Sequence, residues 1–126
     1  MRLASIAASA LNSFSVDMLV RSNNIANVNT REFQAQDVTL MTGPRGQGVA
    51  VGSIYHNTTP GPLVPAQIMT EENGREVLRP GYAASSNTDV AHEFVNMIAT
   101  QRAYEANAVV VRTYEDLSGT VLDMKV

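Results

Sequence analysis

The side chains best suited to catalysis or metal binding are two histidines and several carboxylates, and their spacing assembles no site. His56 follows a candidate strand, and His92-Glu93 lies near a predicted helix start. The pairs Glu71-Glu72 and Glu115-Asp116 are typical of solvated faces. The chain carries no nucleophile elbow, no phosphate-cradling glycine loop and no His-Glu-x-x-His zinc motif. We therefore expect no enzyme activity, no cofactor and no metal.

The densest cluster of polar side chains is the segment Gln101-Arg102-Ala103-Tyr104-Glu105-Ala106-Asn107. Arg102 and Glu105 are three residues apart on one face of a predicted helix and can pair there. An ordinary surface pair contributes only a few tenths of a kcal/mol, roughly. The alternative is that Gln101, Arg102 and Asn107 contact other subunits, and spacing alone leaves both interpretations open.

Composition excludes several classes of protein. Nine basic and twelve acidic residues give a net charge of -3, without the basic face that nucleic-acid binding requires. The chain has no Cys, hence no disulfide and no thiolate metal site. Ala8-Ser9-Ala10 imitates a signal-peptide cleavage site, but the helical pattern continues through it. No stretch approaches the ~20 apolar residues of a membrane span, so we expect none.

Glycine and proline divide the chain into two helical ends and a turn-rich middle, because all five prolines lie between Pro44 and Pro80. The predicted segments are an N-terminal helix at 1–28, loops and short strands at 29–88, and a C-terminal helix at 89–126. A heptad-like apolar stripe marks the first helix, with Arg21 in one stripe position; its members are Ala4, Ala7, Leu11, Phe14, Met18 and Ile25.

The second helix has a clear start and its own apolar stripe. Ser86-Asn87-Thr88-Asp89 fits a capping box, and Asp89 suits the positive end of a helix dipole. The stripe comprises Val90, Phe94, Met97, Tyr104, Ala108 and Val111. In the middle region, Val49 to Tyr55 predicts a strand, and Asn73-Gly74 predicts a hairpin turn between Ala66–Glu72 and Arg75–Leu78.

These patterns predict a mainly α fold with a small β/loop insertion, in which the two long helices pair as a coiled coil and form one axial core. So small a chain has little else to cover two apolar seams, which indicates self-assembly. Asn23, Asn24, Asn27 and Asn29 crowd into one short stretch. A helix cap explains Asn27 and Asn29 better than it explains Asn23 and Asn24, and we expect the cluster to serve a subunit interface too.

Two segments resemble bacterial flagellar axial proteins, the rod and hook family. The first is Asn23-Asn24-Ile25-Ala26-Asn27-Val28-Asn29-Thr30, and the second comprises Ser86 to Ala91, Phe94 to Ile98 and Gln101 to Asn107. They lie at opposite ends, in the family's order, and cover about half the chain. Glu32-Phe33 stands where hook and distal-rod members often carry Gly-Phe. The short middle region is most similar to a proximal-rod protein.

The resemblance implies a structural subunit of the flagellar basal-body rod. Such proteins pair their terminal helices inside a tubular drive shaft. They are exported by the flagellar type III apparatus without a cleaved signal and assemble in the periplasm with copies of themselves and other rod proteins. A soluble coiled-coil adaptor or assembly factor is the alternative function. The residues expected at subunit interfaces are Leu11, Phe14, Met18, Asn23, Asn24, Ile25, Asn27, Thr30, Asn87, Asp89, Phe94, Met97, Gln101, Arg102, Tyr104 and Asn107.

Overall fold

A computed structural model describes residues 3–125, which form two long helices and two β-hairpins. The elements in chain order are α1 (Leu3–Ala26), β1 (Gln36–Thr42), β2 (Val49–His56), β3 (Leu63–Glu72), β4 (Arg75–Ala84) and α2 (Val90–Met124). The strands pair in sequence order as two separate two-stranded antiparallel sheets, β1–β2 and β3–β4. A short 3-10 turn at Pro44–Gly46 joins the first pair.

The expectation of a mainly α coiled coil with a small insertion is wrong. The chain is 50% helix and 28% strand, and its strands form two antiparallel sheets rather than a minor insertion. The sequence pattern does not predict β1. β1 depends on partners far along the chain, because it pairs with β2 across a β-bulge between Thr39 and Leu40 and bonds to a side chain of α1.

Local signals place two features well. The side chain of Asp89 accepts a hydrogen bond from the His92 amide and caps α2, which begins one residue later. Asn73 (φ 52°) and Gly74 (φ 77°) both adopt left-handed conformations between Glu72 and Arg75. Two positive φ angles in a two-residue loop define the type I′ hairpin turn that Asn-Gly predicts. The hairpin turn is therefore confirmed.

The two helices run antiparallel. Arg21 of α1 contacts Glu93 of α2, and Asp17, one turn earlier in α1, contacts Thr100, further along α2. The buried face of α1 shares only Ala7 and Arg21 with the predicted stripe and otherwise consists of small, polar and charged residues with one valine. Its members are Ala7, Ala10, Ser13, Asp17, Val20, Arg21 and Asn24.

Within residues 3–125, α1 is the one helix long and apolar enough, by length and composition alone, to cross a membrane. This differs from the expectation that no stretch approaches that length. The same helix carries Asp17 and Arg21 on its buried face, where both find partners in the chain. That is the pattern of a helix packed in a protein core.

Candidate functional site

A polar junction made of buried charges joins α1, α2 and β1. The Arg21 guanidinium donates to Asp37 of β1 at 2.7 Å and to Glu93 of α2 at 3.4 Å. It also lies 3.4 Å from Asp17, one helical turn away. Asp17 in turn accepts from the Thr100 hydroxyl at 2.5 Å. One buried cation thus ties three elements of the fold together.

The charges of the polar junction do not balance, because one guanidinium meets three carboxylates. Burial alone would lower the pKa of Arg21, but Asp17, Asp37 and Glu93 outweigh it and hold that pKa above its usual value. Partial burial also disfavours the charged form of Asp37, which for a carboxyl group raises the pKa. The Val38 amide and the charge of Arg21 more than offset this, so the pKa of Asp37 lies below its usual value. Both shifts favour the charged forms of Arg21 and Asp37, so the ion pair between them stabilises the folded chain.

Asn24 fastens the end of α1 to the start of β1. Its amide donates to the Gln36 carbonyl at 2.7 Å and accepts from the Gln36 N–H at 2.8 Å. Asn24 thereby bonds β1 as a neighbouring strand would. Its side chain is 0% exposed. The enclosed side chain of Asn24 pairs within its own chain, and its expected place at a subunit interface stays a prediction.

Asn87 organises the loops that precede α2. Its side chain accepts from the Ala35 amide at 2.6 Å and donates to the carbonyls of Asn57 and Thr59, both at 2.7 Å. Its own amide donates to the Phe33 carbonyl. Asn87 thus joins the α1–β1 loop and the β2–β3 loop to the segment before α2, and its expected role at a subunit interface stays a prediction.

Small residues let α1 approach the β1–β2 sheet closely. The Ser13 hydroxyl donates to the Val49 carbonyl and the Ser9 hydroxyl accepts from the Val49 amide, both at 3.1 Å. Gly48 adopts a φ of +73°, and a Cβ there would lie 2.4 Å from the Ser9 hydroxyl. The sheet thus covers a face of α1 that periodicity did not select.

The apolar residues expected at interfaces lie on the flanks of the helix pair. Leu11, Phe14, Met18, Ile25, Met97 and Tyr104 are half-buried, and Phe94 is 49% exposed. Each keeps surface that a neighbouring molecule can cover. Their role as interface residues stays a prediction.

The polar candidates fall into separate groups rather than one site. Asn27 donates to the carbonyl and the side chain of Asn23 and accepts from the Thr30 hydroxyl, which forms a local cap at the end of α1. Gln101 and Arg102 are exposed and both contact Glu105. Asn107 is half-buried and donates to the Ala103 carbonyl. Asn23, Thr30, Gln101 and Arg102 all remain accessible.

The sequence patterns do not predict that Asp17, Asp37, Glu93 and Thr100 meet in the polar junction. One signal was present, since Asp17 and Arg21 stand four residues apart inside an otherwise apolar helix. Among residues 3–125, no three His, Asp or Glu side chains are placed to hold a metal ion. A groove of about 370 Å³ beside the junction has a mixed polar and apolar lining that includes His56, His92 and Asp89.

The C-terminal part of α2 has no partner helix in the described chain. From the Asp17–Thr100 contact, α1 continues for about 21 Å to Leu3 and α2 for about 36 Å to Met124. The overhanging part of α2 is apolar: Leu117, Val121 and Leu122 are 61%, 59% and 66% exposed. Together with Tyr114 and Ser118 they line a shallow apolar groove, here called the overhang groove.

The sequence matches two family descriptions at its two ends. Residues 79–124 match "Flagellar basal body rod FlgEFG protein C-terminal", and residues 5–34 match "Flagella basal body rod protein". The matched segments contain the whole of α2 and most of α1. They also include Asp17, Arg21 and Glu93 of the polar junction.

Individual relatives agree with these descriptions. The flagellar basal-body rod protein FlgC of Yersinia enterocolitica is 30% identical over 124 residues, covering 89% of this chain and 87% of the relative. FlgC of Salmonella typhimurium is 29% identical over the same extent. FlgG of Buchnera aphidicola from Acyrthosiphon pisum is 38% identical over 68 residues, and that alignment covers 26% of the relative. This chain belongs to the flagellar basal-body rod protein family, whose members are structural, non-enzymatic components of the flagellar basal body.

Proposed function

We propose that this chain is a self-assembling subunit of the flagellar rod, joined to copies of itself and to other rod proteins. It passes through the flagellar type III export apparatus without a cleaved signal and assembles in the periplasm. The alignment with FlgC relatives supports a FlgC-like rod subunit, since it runs over 124 residues and includes the middle region, whereas that with FlgG runs over 68.

The observation that carries the proposal is the overhang groove. The face of α2 that packs against α1 continues past Leu3 with Leu117, Val121 and Leu122 uncovered. Burying a Leu or Val side chain is worth about 1.5 to 3 kcal/mol, so leaving three exposed costs the free chain stability that an assembly would regain. A helix from a neighbouring subunit fits this surface, because it would continue the packing that α1 begins.

A charge introduced on this surface tests whether the overhang groove makes a subunit contact. Val121→Arg places a charge in the overhang groove, whereas Thr120→Arg places the same charge on the adjacent exposed position outside it. Both variants should match the parent chain in helix content and melting temperature, because neither residue is buried. In cells lacking the native gene, Thr120→Arg should restore swimming and Val121→Arg should not.

Two results would reject the proposal. Normal swimming with Val121→Arg would show that the overhang groove carries no essential subunit contact. The adaptor would be favoured if the purified parent chain forms a small, stable oligomer and if, in cells, the same chain restores swimming but is absent from purified basal bodies.

A further inference from the structure

One face of the β3–β4 hairpin is apolar, exposed and unusual for a free surface. Residues paired directly across the two strands share a face. The register therefore places six exposed apolar residues on one face, around the single polar side chain of Gln67. These six, here called the hairpin face, are Leu63, Pro65, Met69, Leu78, Pro80 and Tyr82. Leu63, Met69, Leu78 and Tyr82 are 71%, 57%, 59% and 68% exposed. Isolated two-stranded hairpins are marginally stable, which points to a covering partner.

The tip of the hairpin face carries a specific charge signal. Glu71 and Glu76 pair directly across the strands on this face. Like charges in that position destabilise a hairpin. On the opposite face Glu72 forms an ion pair with Arg79, so the imbalance is confined to the apolar side. Two carboxylates next to exposed apolar residues suit a partner that presents an apolar patch bordered by a cation.

The outer face of α2 offers that complement. Phe94, Val95 and Ile98 are 49%, 67% and 56% exposed near the start of the helix. Arg102 follows one turn after Ile98 on the same side, and its side chain is 76% exposed. We call these four residues the α2 patch. Ile98 and Arg102 are about 6 Å apart along the helix axis. Met69 and Glu71 are about 7 Å apart along their strand, so apolar and charged groups are spaced alike.

We propose that the hairpin face of one subunit docks on the α2 patch of a second copy of this chain, with Glu71 and Glu76 meeting Arg102. This inference rests on the proposed function, because it requires copies to lie side by side in an assembly. A two-stranded sheet about 30 Å long and 10 Å wide offers on the order of 300 Å², well below the ~800 Å² per partner of a stable complex. The contact therefore adds to the helix packing of an assembly and does not hold a free dimer.

Cysteine cross-linking tests this contact directly, since the chain contains no Cys. A double variant, Leu78→Cys with Ile98→Cys, is expressed in cells lacking the native gene and oxidised in purified basal bodies. We expect a ladder of disulfide-linked multimers in a non-reducing gel. Thr70→Cys with Ile98→Cys is the matched control, because Thr70 neighbours Met69 but lies on the other face. That control should give no ladder.

A charge exchange gives a second measurement, in which the cysteine pair stays the same and only the ion pair changes. Introducing Glu76→Arg with the Leu78→Cys and Ile98→Cys changes removes the repulsion with Glu71, so the hairpin itself should be no less stable. The yield of multimers should nevertheless fall roughly two- to fivefold, as loss of an exposed ion pair predicts. Adding Arg102→Glu should restore it.

The outcomes separate this inference from the proposed function. If the cells swim and their basal bodies contain the chain, but no ladder of multimers forms, the docking contact is contradicted. The proposal of self-assembly is then unaffected. A cross-linked monomer would also contradict the docking contact, since the hairpin would then fold onto its own helix. So would a single product with a different protein. If the parent chain is absent from basal bodies, the proposed function fails first.

Discussion

Arg21 and Glu93 form a buried ion pair of 3.4 Å between the two helices, although they stand 72 residues apart in the chain. Their side chains are only 9% and 4% exposed. The guanidinium also contacts Asp17 and Asp37, so this single cation pairs with carboxylates from three elements. The polar junction therefore fixes how the helix pair meets the first sheet, and its removal should be felt throughout the fold.

Replacing Arg21 should destabilise the isolated chain strongly. Arg21→Met leaves Asp17, Asp37 and Glu93 without a cation, and an uncompensated buried charge costs about 3 to 5 kcal/mol. Arg102→Met is the control, because its pair with Glu105 is 76% and 48% exposed and should contribute under about 0.5 kcal/mol. Urea unfolding measures both; similar losses for the two variants would contradict the importance of the polar junction.

Two neighbouring asparagines should behave differently. Asn24→Ala removes both hydrogen bonds to Gln36 and leaves its backbone groups unpaired, at a cost of about 2 to 3 kcal/mol. Asn23→Ala alters an exposed side chain and should leave the melting temperature nearly unchanged. Since Asn23 remains accessible, we expect its replacement to impair swimming instead. Equal melting temperatures for the two variants would refute this division of roles.

Acid should weaken the chain partly through Asp37. Its pKa is lower in the folded chain than in the unfolded chain, so the folded state holds fewer protons on this group. Its contribution is complete above the unfolded pKa near 3.8 and is lost as pH falls toward the folded pKa. Because 37% of the side chain is exposed, that contribution is below about 1 kcal/mol.

Asp37→Asn should therefore flatten the dependence of unfolding free energy on pH below 4, roughly. Asp116→Asn, at an exposed site on α2, serves as the control and should retain the slope of the parent chain. Parallel curves for Asp37→Asn and the parent chain would show that Asp37 is not stabilised by its neighbours.

Two glycine-to-alanine changes should shift stability in opposite directions. Gly74 has a φ of +77° in the hairpin turn, so Gly74→Ala strains the backbone by about 1 kcal/mol. Gly119 lies inside α2, and a Cβ added there would meet no atom within 4 Å, so Gly119→Ala should stabilise the helix by about 0.5 to 1 kcal/mol. Thermal melts should show the two signs, and a stabilising Gly74→Ala would contradict the turn geometry.

Local chemistry explains which parts of this fold are predictable from sequence. The Asn73-Gly74 turn and the Asp89 cap depend on residues within a few positions of each other. The strand β1 depends on the side chain of Asn24 and on pairing with β2, which lies beyond a turn. The strand propensity of the β1 residues reflects neither of these two interactions. The sequence pattern therefore predicts a mainly α fold.

The buried face of α1 was unpredictable for a related reason. Periodicity placed Ala7 in the stripe but not Ala10 and Ser13, which are buried because the sheet and α2 approach closely. Arg21 occupies a position of the apolar stripe where a charge is unfavourable without a partner. Its partner Glu93 is distant in sequence, so the stripe alone does not reveal the pair. The interface residues remain predictions because subunit contacts involve surfaces that a single chain leaves uncovered.

The most direct measurement is electron microscopy of basal bodies purified from a strain in which this gene alone is deleted, compared with the same strain carrying the gene on a plasmid. We predict that the deletion strain lacks an intact rod and does not swim, and that the plasmid restores both. Complete rods with attached hooks in the deletion strain would contradict a structural role for this chain in the rod.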